Sequence, residues 1–287
     1  MIQLFDVKGD AAICGMMAVG KEAILFDTGT AHQAGRMIQN MKEILGEKPL
    51  RAVFLTHSHY DHVGALPAIQ KAWPEVRVYG AAYAAAVFKK EKALALMEEL
   101  SRETAEANGA EWPEGYFAAG IRVDEIVGEG MSVMIGDLKV DVYETIGHTR
   151  CSLSFYVSAT AESVLVCSES AGVITGGVYS PCYLISYEGT VAAIEKCRQL
   201  PAGRVIMSHS GVVNPQEYPD LWGYLMEQTV KSRDNLLALL RQGTPEEEVL
   251  EWMSRHYRNE ESKKQQPDGA FFVNARSILK TLRREYL

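Results

Sequence analysis

Apolar and polar positions change period several times along this chain. Near the amino end the apolar residues come in short runs, IQLFDV, AAICGMMAV and AILFDTG, punctuated by Gly or Lys-Glu as in hairpin-linked strands. From His32 to Leu45 the period is helical, with Met37, Ile38, Met41, Ile44 and Leu45 recurring at helix spacing, and RAVFLT then reads as an apolar strand ending in polar residues. A helix over ALPAIQKAW, a strand VRVYG and a long Ala-, Glu- and Lys-rich helix from Ala81 to Asn108, stopped by Gly109, follow. Leu94, Met97, Leu100 and Thr104 share one face of that helix, which suits packing on its own domain better than a lid or a second subunit.

Residues 121 to 167 return to strand character in IRVDEIV, MSVMIG, LKVDVYET, LSFYVS and SVLVCS, so a second sheet is expected to balance the first. A helix from Val191 to Leu200 and a strand RVIMS close this plan, a sandwich of two mixed sheets. From Gln216 onward the pattern is three helices, broken at Gly243-Thr244-Pro245 and Pro267-Asp268-Gly269.

With 287 residues, 47% hydrophobic and 23% charged, the chain can bury a full core and suits one α/β domain with an appendage. No apolar run is long enough to span a bilayer, and MIQLFDVKGD has neither a basic nor an apolar leader region, so no membrane and a cytoplasmic location are expected. The formal charge of −8 and the absence of Lys/Arg blocks argue against nucleic acid as a partner. Five cysteines, Cys14, Cys151, Cys167, Cys182 and Cys197, lack CxxC spacing and are read as reduced, small buried hydrophobes.

Seven histidines would scatter singly by chance, yet THSHYDH gathers His57, His59 and His62 with Asp61 just past an apolar strand. Residues two apart in an extended segment point the same way, so His57 and His59 can face one ion. Asp61 and His62 turn at the following helix start toward a neighbouring point, beyond a strand's carboxyl end, where α/β sheets leave crevices for ligands. Clustered imidazoles repel when protonated, whereas neutral imidazole with carboxylate suits zinc, iron or manganese.

THSHYDHVGA resembles the HxHxDH signature of the metallo-β-lactamase fold superfamily. FDTG with Asp27, GHTRCSLSFYV with His148, VCSES with Glu169 and MSHSG with His209 supply its other markers in order. The resemblance implies a four-layer αββα sandwich over residues 1–213 as catalytic domain. Residues 214–287 are then a helical C-terminal extension serving a substrate pocket or a homodimer interface. It further implies two divalent transition-metal ions, the first held by His57, His59 and His148, the second by Asp61, His62 and His209. Asp27 matches the family's acid that steadies the metal loops, or is a turn-forming Asp before Gly. Glu169 stands where the family has a bridging Asp. It is one methylene longer, and bridging by Glu169 or by another group are both open. His32 and His256 fall outside the matching segments and are assigned to helix surface.

Two ions roughly 3.5 to 4 Å apart can share a hydroxide and polarise a carbonyl or phosphoryl oxygen, with Asp61 orienting that hydroxide and taking a proton. SHSG lacks the GxSxG elbow, so Ser208 and Ser210 are loop residues. A small-molecule ester-type substrate is expected, thioester first, because the glyoxalase II-like branch carries a helical C-terminal part. A lactonase, a phosphodiesterase and a regulatory protein with a weakly active site are the alternatives. Tyr179, Tyr183 and Tyr187, every fourth residue in the loop after Glu169, are candidate pocket walls, with core packing as the competing reading.

Overall fold

The structure is a computed structural model that describes residues 2–7, 15–112 and 116–287. Cys14, with the start of the AAICGMMAV run, lies outside the described residues. The first sheet places β1 (Gln3–Asp6), β2 (Met16–Val19), β3 (Ala23–Phe26), β4 (Leu50–Phe54), β5 (Arg77–Gly80) and β6 (Glu125–Ile126) side by side in chain order. The first three form an antiparallel meander, and β3 to β6 run parallel. Parallel neighbours need crossovers. These are α1 (Ala34–Leu45), then α2 (Tyr60–Val63) with α3 (Leu66–Ala72), then α4 (Ala82–Val87) with α5 (Glu91–Ala107).

The second sheet is built from β7 (Ser132–Ile135), β8 (Leu138–Glu144), β9 (Leu153–Ala159), β10 (Glu162–Cys167), β13 (Arg204–Met207) and β14 (Gly211–Val212), in the spatial order β14-β13-β10-β9-β8-β7. Between β10 and its parallel neighbour β13 the chain forms a hairpin, β11 (Val173–Thr175) with β12 (Val178–Ser180), and the helix α6 (Tyr187–Arg198). Strand alternation sorts the core into layers. In β4, Ala52 and Phe54 face the second sheet while Val53 faces the helices of the first. In β10, Val164 and Val166 face the first sheet while Leu165 and Cys167 pack with Ile194 and Cys197 of α6. Helix, sheet, sheet and helix layers result, as expected.

The extension is four helices, α7 (Leu221–Arg241), α8 (Glu246–Tyr257), α9 (Glu260–Gln265) and α10 (Asp268–Tyr286), rather than three. The additional break falls at Arg258 and Asn259, where Asn259 closes a capping box with Ser262 and its amide also donates to Thr175 O at 2.8 Å. Three further expectations change. The Ala81–Asn108 helix is split between α4 and α5, because Phe88 turns into the core and Lys90 is extended. IRVDEIV contributes β6 to the first sheet, not the second. His32 is half-buried, with both ring nitrogens buried and unpartnered, whereas His256 is exposed and stacks on Trp252. Among the described residues no helix is long and apolar enough to cross a membrane.

Candidate metal centre

Each candidate ligand sits past a strand end or in a strand-joining turn at one edge of the sandwich. His57, His59, Asp61 and His62 follow β4, His148 lies in the turn joining β8 to β9, Glu169 follows β10 and His209 follows β13. The loops are tied across the two sheets, since Leu153 N donates to Thr56 O at 2.8 Å. They are also tied to the β3 loop, where Thr28 N donates to His62 O at 2.6 Å and Asp27 adopts a left-handed φ of 54°. Gly64 is required at this crossing, because a Cβ there would stand 2.4 Å from Ala31 N and 2.7 Å from Gly29 O.

The hydrogen bonds behind the imidazoles settle which nitrogen faces inward. Asp27 Oδ2 lies 2.8 Å from His62 Nδ1, and the Cys182 carbonyl lies 2.9 Å from His148 Nδ1. Both oxygens act as acceptors, so each Nδ1 carries the proton and each Nε2 a lone pair. Thr56 Oγ1 gives its hydrogen to Asp27 Oδ2 at 2.7 Å and therefore accepts from His57 Nδ1 at 3.0 Å. His57 Nε2 is left buried with no partner. Gln265 Oε1 faces His209 Nδ1 at 3.2 Å. Four Nε2 lone pairs thus converge, while His59 presents Nδ1, 3.0 Å from His148 Nε2.

Two groups are brought within ligand spacing: His57, His59 and His148, and Asp61, His62, Glu169 and His209, with donor atoms of each group within 4.8 Å of one another. Glu169 lies between them, its Oε1 2.6 Å from both His62 Nε2 and His209 Nε2 and its Oε2 3.1 Å from His148 Nε2. Lone pair facing carboxylate oxygen at that distance is repulsive unless a cation lies between. The donor set therefore fits divalent metal, a conclusion the orphaned His57 Nε2 supports independently. Burial, aided by neighbouring rings, holds His57 well below its ordinary pKa, and burial lowers His59 and His148 to about 4. All three are neutral at pH 7, the form that ligates. Burial alone would raise Glu169, but His148, His209 and His62 outweigh it and hold the carboxyl well below its usual range. Burial raises Asp61, whose Oδ2 lies 3.8 Å from His62 Nε2 and 4.0 Å from His209 Nε2.

Beside Glu169 and His209 a cavity runs under the extension, walled by Val173, Leu184, Met253, Phe271, Ala275 and Ile278. Tyr179, Tyr183 and Tyr187 do not line it, which corrects the expectation of pocket walls. Tyr179 and Tyr183 place their hydroxyls 2.9 Å from Thr229 and 3.1 Å from Ser232 of α7, and the ring of Tyr187 carries the Arg233 guanidinium 4.9 Å from its centroid. The three rings anchor the loop to the extension. Two residues at the site escape the sequence pattern. Gln265, from α9, is the partner of His209, and Cys182, buried as expected, lies within ligand spacing of His148 and Glu169. Cys151, Cys167, Cys182 and Cys197 are all free and buried.

The family model of the metallo-beta-lactamase superfamily matches residues 9–209, and the chain belongs to that superfamily. A hydroxyacylglutathione hydrolase of Legionella pneumophila (strain Lens) is 27% identical over 107 residues, covering 37% of this chain and 29% of that protein. The chain thus matches under a third of that curated relative's length. Among solved structures, ST1585 from Sulfolobus tokodaii, an archaeal metallo-beta-lactamase superfamily protein, superposes with a TM-score of 0.57 at 16% identity, covering 99% of this chain and 98% of its own. BJP-1, a subclass B3 metallo-beta-lactamase of Bradyrhizobium japonicum, gives 0.56 at 17% identity, covering 82% and 90%. At these identities the structural likeness carries the fold alone.

Proposed function

We propose that this chain is a binuclear metal-dependent hydrolase of a small ester-type substrate, with thioesters favoured. The observation that carries the reading is the inward convergence of four Nε2 lone pairs, His59 Nδ1 and the Asp61 and Glu169 carboxylates on one buried point of the sandwich edge. His57, His59 and His148 would hold one ion, Asp61, His62 and His209 the other, and Glu169 would reach both. Two such ions supply Lewis acidity toward a carbonyl oxygen and a nucleophile at neutral pH.

The chain's own residues do the rest. Asp27, Thr56, the Cys182 carbonyl and Gln265 fix ring orientation, so little reorganisation is needed during turnover. Asp61, buried beside His62 and His209, takes the proton of the attacking water and returns it to the departing sulfur or oxygen. The apolar wall beneath the extension excludes bulk water from the acyl side. A thioester is favoured because the extension roofs a cavity at the centre and a curated relative hydrolyses hydroxyacylglutathione.

The test is elemental analysis of protein purified without added metal, alongside His209→Ala, followed by a panel of thioesters, lactones and phosphodiesters. About two equivalents of zinc, iron or manganese, falling toward one in the variant, with thioester cleavage lost in His59→Ala, is the expected result. One equivalent, unchanged in His209→Ala, would overturn the binuclear reading, and full activity in metal-free protein would overturn the hydrolase reading.

A further inference from the structure

The surroundings of the centre differ in polarity between its two ligand groups. The cavity that reaches Glu169 and His209 has no lysine or arginine in its lining. Away from Glu169 and His209 at the ligand end, its apolar wall is relieved by neutral polar groups, Thr175, Ser262, Gln265 and Asn274 among them. Arg258, which follows the lining residue Tyr257, is committed elsewhere: its guanidinium is 2.6 Å from both Asp268 Oδ1 and Gln266 O and 4.4 Å from the Phe271 ring centroid. A carboxylate or phosphate held in this cavity away from the ligand end would lose its hydration without meeting a lysine or arginine.

The other ligand group has the opposite neighbourhood. Arg150 lies two residues beyond His148, in a turn whose Cys151 Sγ is 3.3 Å from Ser58 Oγ, between His57 and His59. Its Cζ is 5.9 Å from the ring centroid of Tyr83, and Lys90 Nζ is 5.5 Å from the same ring. Tyr83 is 40% exposed, although large apolar and aromatic side chains are otherwise mostly buried. Both cations are exposed, and neither makes an ion pair among the described residues. On a chain of net charge −8, two unpaired cations meeting over one exposed aromatic ring, beside the metal loops, form a local anion-attracting surface.

We propose that the substrate spans the centre. An uncharged, largely apolar acyl group lies in the cavity under the extension, and an anionic leaving group rests on Arg150, Lys90 and Tyr83. The proposal rests on the hydrolase reading above and adds to it the substrate's polarity and its direction across the site. For a thioester of this kind, hydrolysis breaks the carbon–sulfur bond and adds the oxygen of one water to the acyl carbon. The products are a carboxylic acid and the anionic thiol, with the water's second hydrogen passing to sulfur.

The test uses the metal-loaded full chain and a matrix of thioesters. Butanoyl and benzoyl acyl groups are compared with succinyl. Each is carried on a neutral amide thiol, a carboxylate-bearing thiol or a phosphate-bearing thiol. Ketone analogues, with methylene in place of sulfur, give binding constants by calorimetry without turnover. Succinyl analogues should bind about thirtyfold or more weakly than butanoyl ones. Anionic leaving groups should gain about tenfold over the neutral thiol at low salt, a gain that fades at high salt and disappears in the Lys90→Ala/Arg150→Ala variant. The carboxylate and phosphate thiols tell which anion the surface prefers. With an acetyl analogue added as the small reference, Ala275→Trp should lower the benzoyl-to-acetyl binding ratio about tenfold or more, and the acyl series on the unaltered protein stands if that variant does not fold. Equal binding of succinyl and butanoyl analogues, or equal weakening of neutral and anionic analogues in the double variant, would overturn the proposal. Analogue binding in the expected pattern with no thioester cleaved would remove the hydrolase reading and leave both subsites in place.

Discussion

Gln265→Leu removes a hydrogen bond by which the helical extension reaches a candidate ligand. Leucine keeps the volume of the side chain but offers no acceptor to His209 Nδ1, now 3.2 Å from Gln265 Oε1. The net worth of such a bond is about 1 to 1.5 kcal/mol, and loss of the partner behind a ligating histidine lowers metal affinity roughly 10- to 100-fold. The His209 side chain is only 9% exposed, so little water can replace the lost bond and the expected loss is at least the lower bound, about tenfold or about 1.4 kcal/mol. His209 belongs to the group with Asp61, His62 and Glu169, so only one of two metal equivalents should weaken. Competition titration against a chromophoric chelator resolves the two equivalents, and Gln265→Glu, which restores an acceptor, should recover the affinity. Equal weakening of both equivalents, or a lowered Tm with unchanged affinities, would refute the reasoning and make Gln265 a packing residue only.

Acid should destabilise the metal-free protein as the pH falls below about 6.5. Burial lowers His59 and His148 to about 4 from an ordinary 6.5, so between those values the unfolded chain binds protons that the folded chain does not. Their stabilisation is complete above pH 6.5 and declines toward pH 4, by at most about 3 kcal/mol for each ring; a urea midpoint that stays flat from pH 7 to 5 would contradict this. Gly64→Ala should prevent folding or cost more than about 3 kcal/mol, because its Cβ would stand 2.4 Å from a backbone nitrogen that cannot give way; soluble variant with unchanged Tm would show that the loops can part. Arg258→Met removes the bonds to Asp268 and Gln266 O and should cost about 2 kcal/mol, or a Tm lowered by ~4–8 °C, which calorimetry reads directly.

Most of the centre was legible because its ligands are concentrated in one contiguous string and in short strand-end segments. THSHYDH needs no tertiary knowledge to be read, Glu169 and His209 each follow an apolar run, and His148 stands in the polar break between two of them. Gln265 and Cys182 were hidden for the opposite reason. Nothing local distinguishes a glutamine in EESKKQQ or a cysteine in SPCYL, and only folding sets them beside His209 and His148. The tyrosine pattern was ambiguous because core packing and a pocket wall ask for the same spacing, and the hydroxyl partners on α7 decide it. Helix propensity across residues 81–108 is high on both sides of Phe88 and dips only slightly at Val87 and Phe88, so the break there owes more to that ring's burial than to a local signal. The division of strands between sheets was equally beyond a periodicity argument, as β6 shows. The added helix break at Asn259 does have a local signal, the capping pair with Ser262.

Each large sheet is drawn from one uninterrupted stretch, the first ending at Ile126 and the second beginning at Ser132. The candidate ligands divide along the same line, with His57, His59, Asp61 and His62 in the earlier stretch and His148, Glu169 and His209 in the later. Neither stretch owns every member of either candidate ligand group. During synthesis the earlier stretch emerges first and waits for its complement. A centre assembled this way acts as a checkpoint on assembly: firm occupancy requires that both stretches have formed and met in register, and a half-finished chain carries histidines but no competent site.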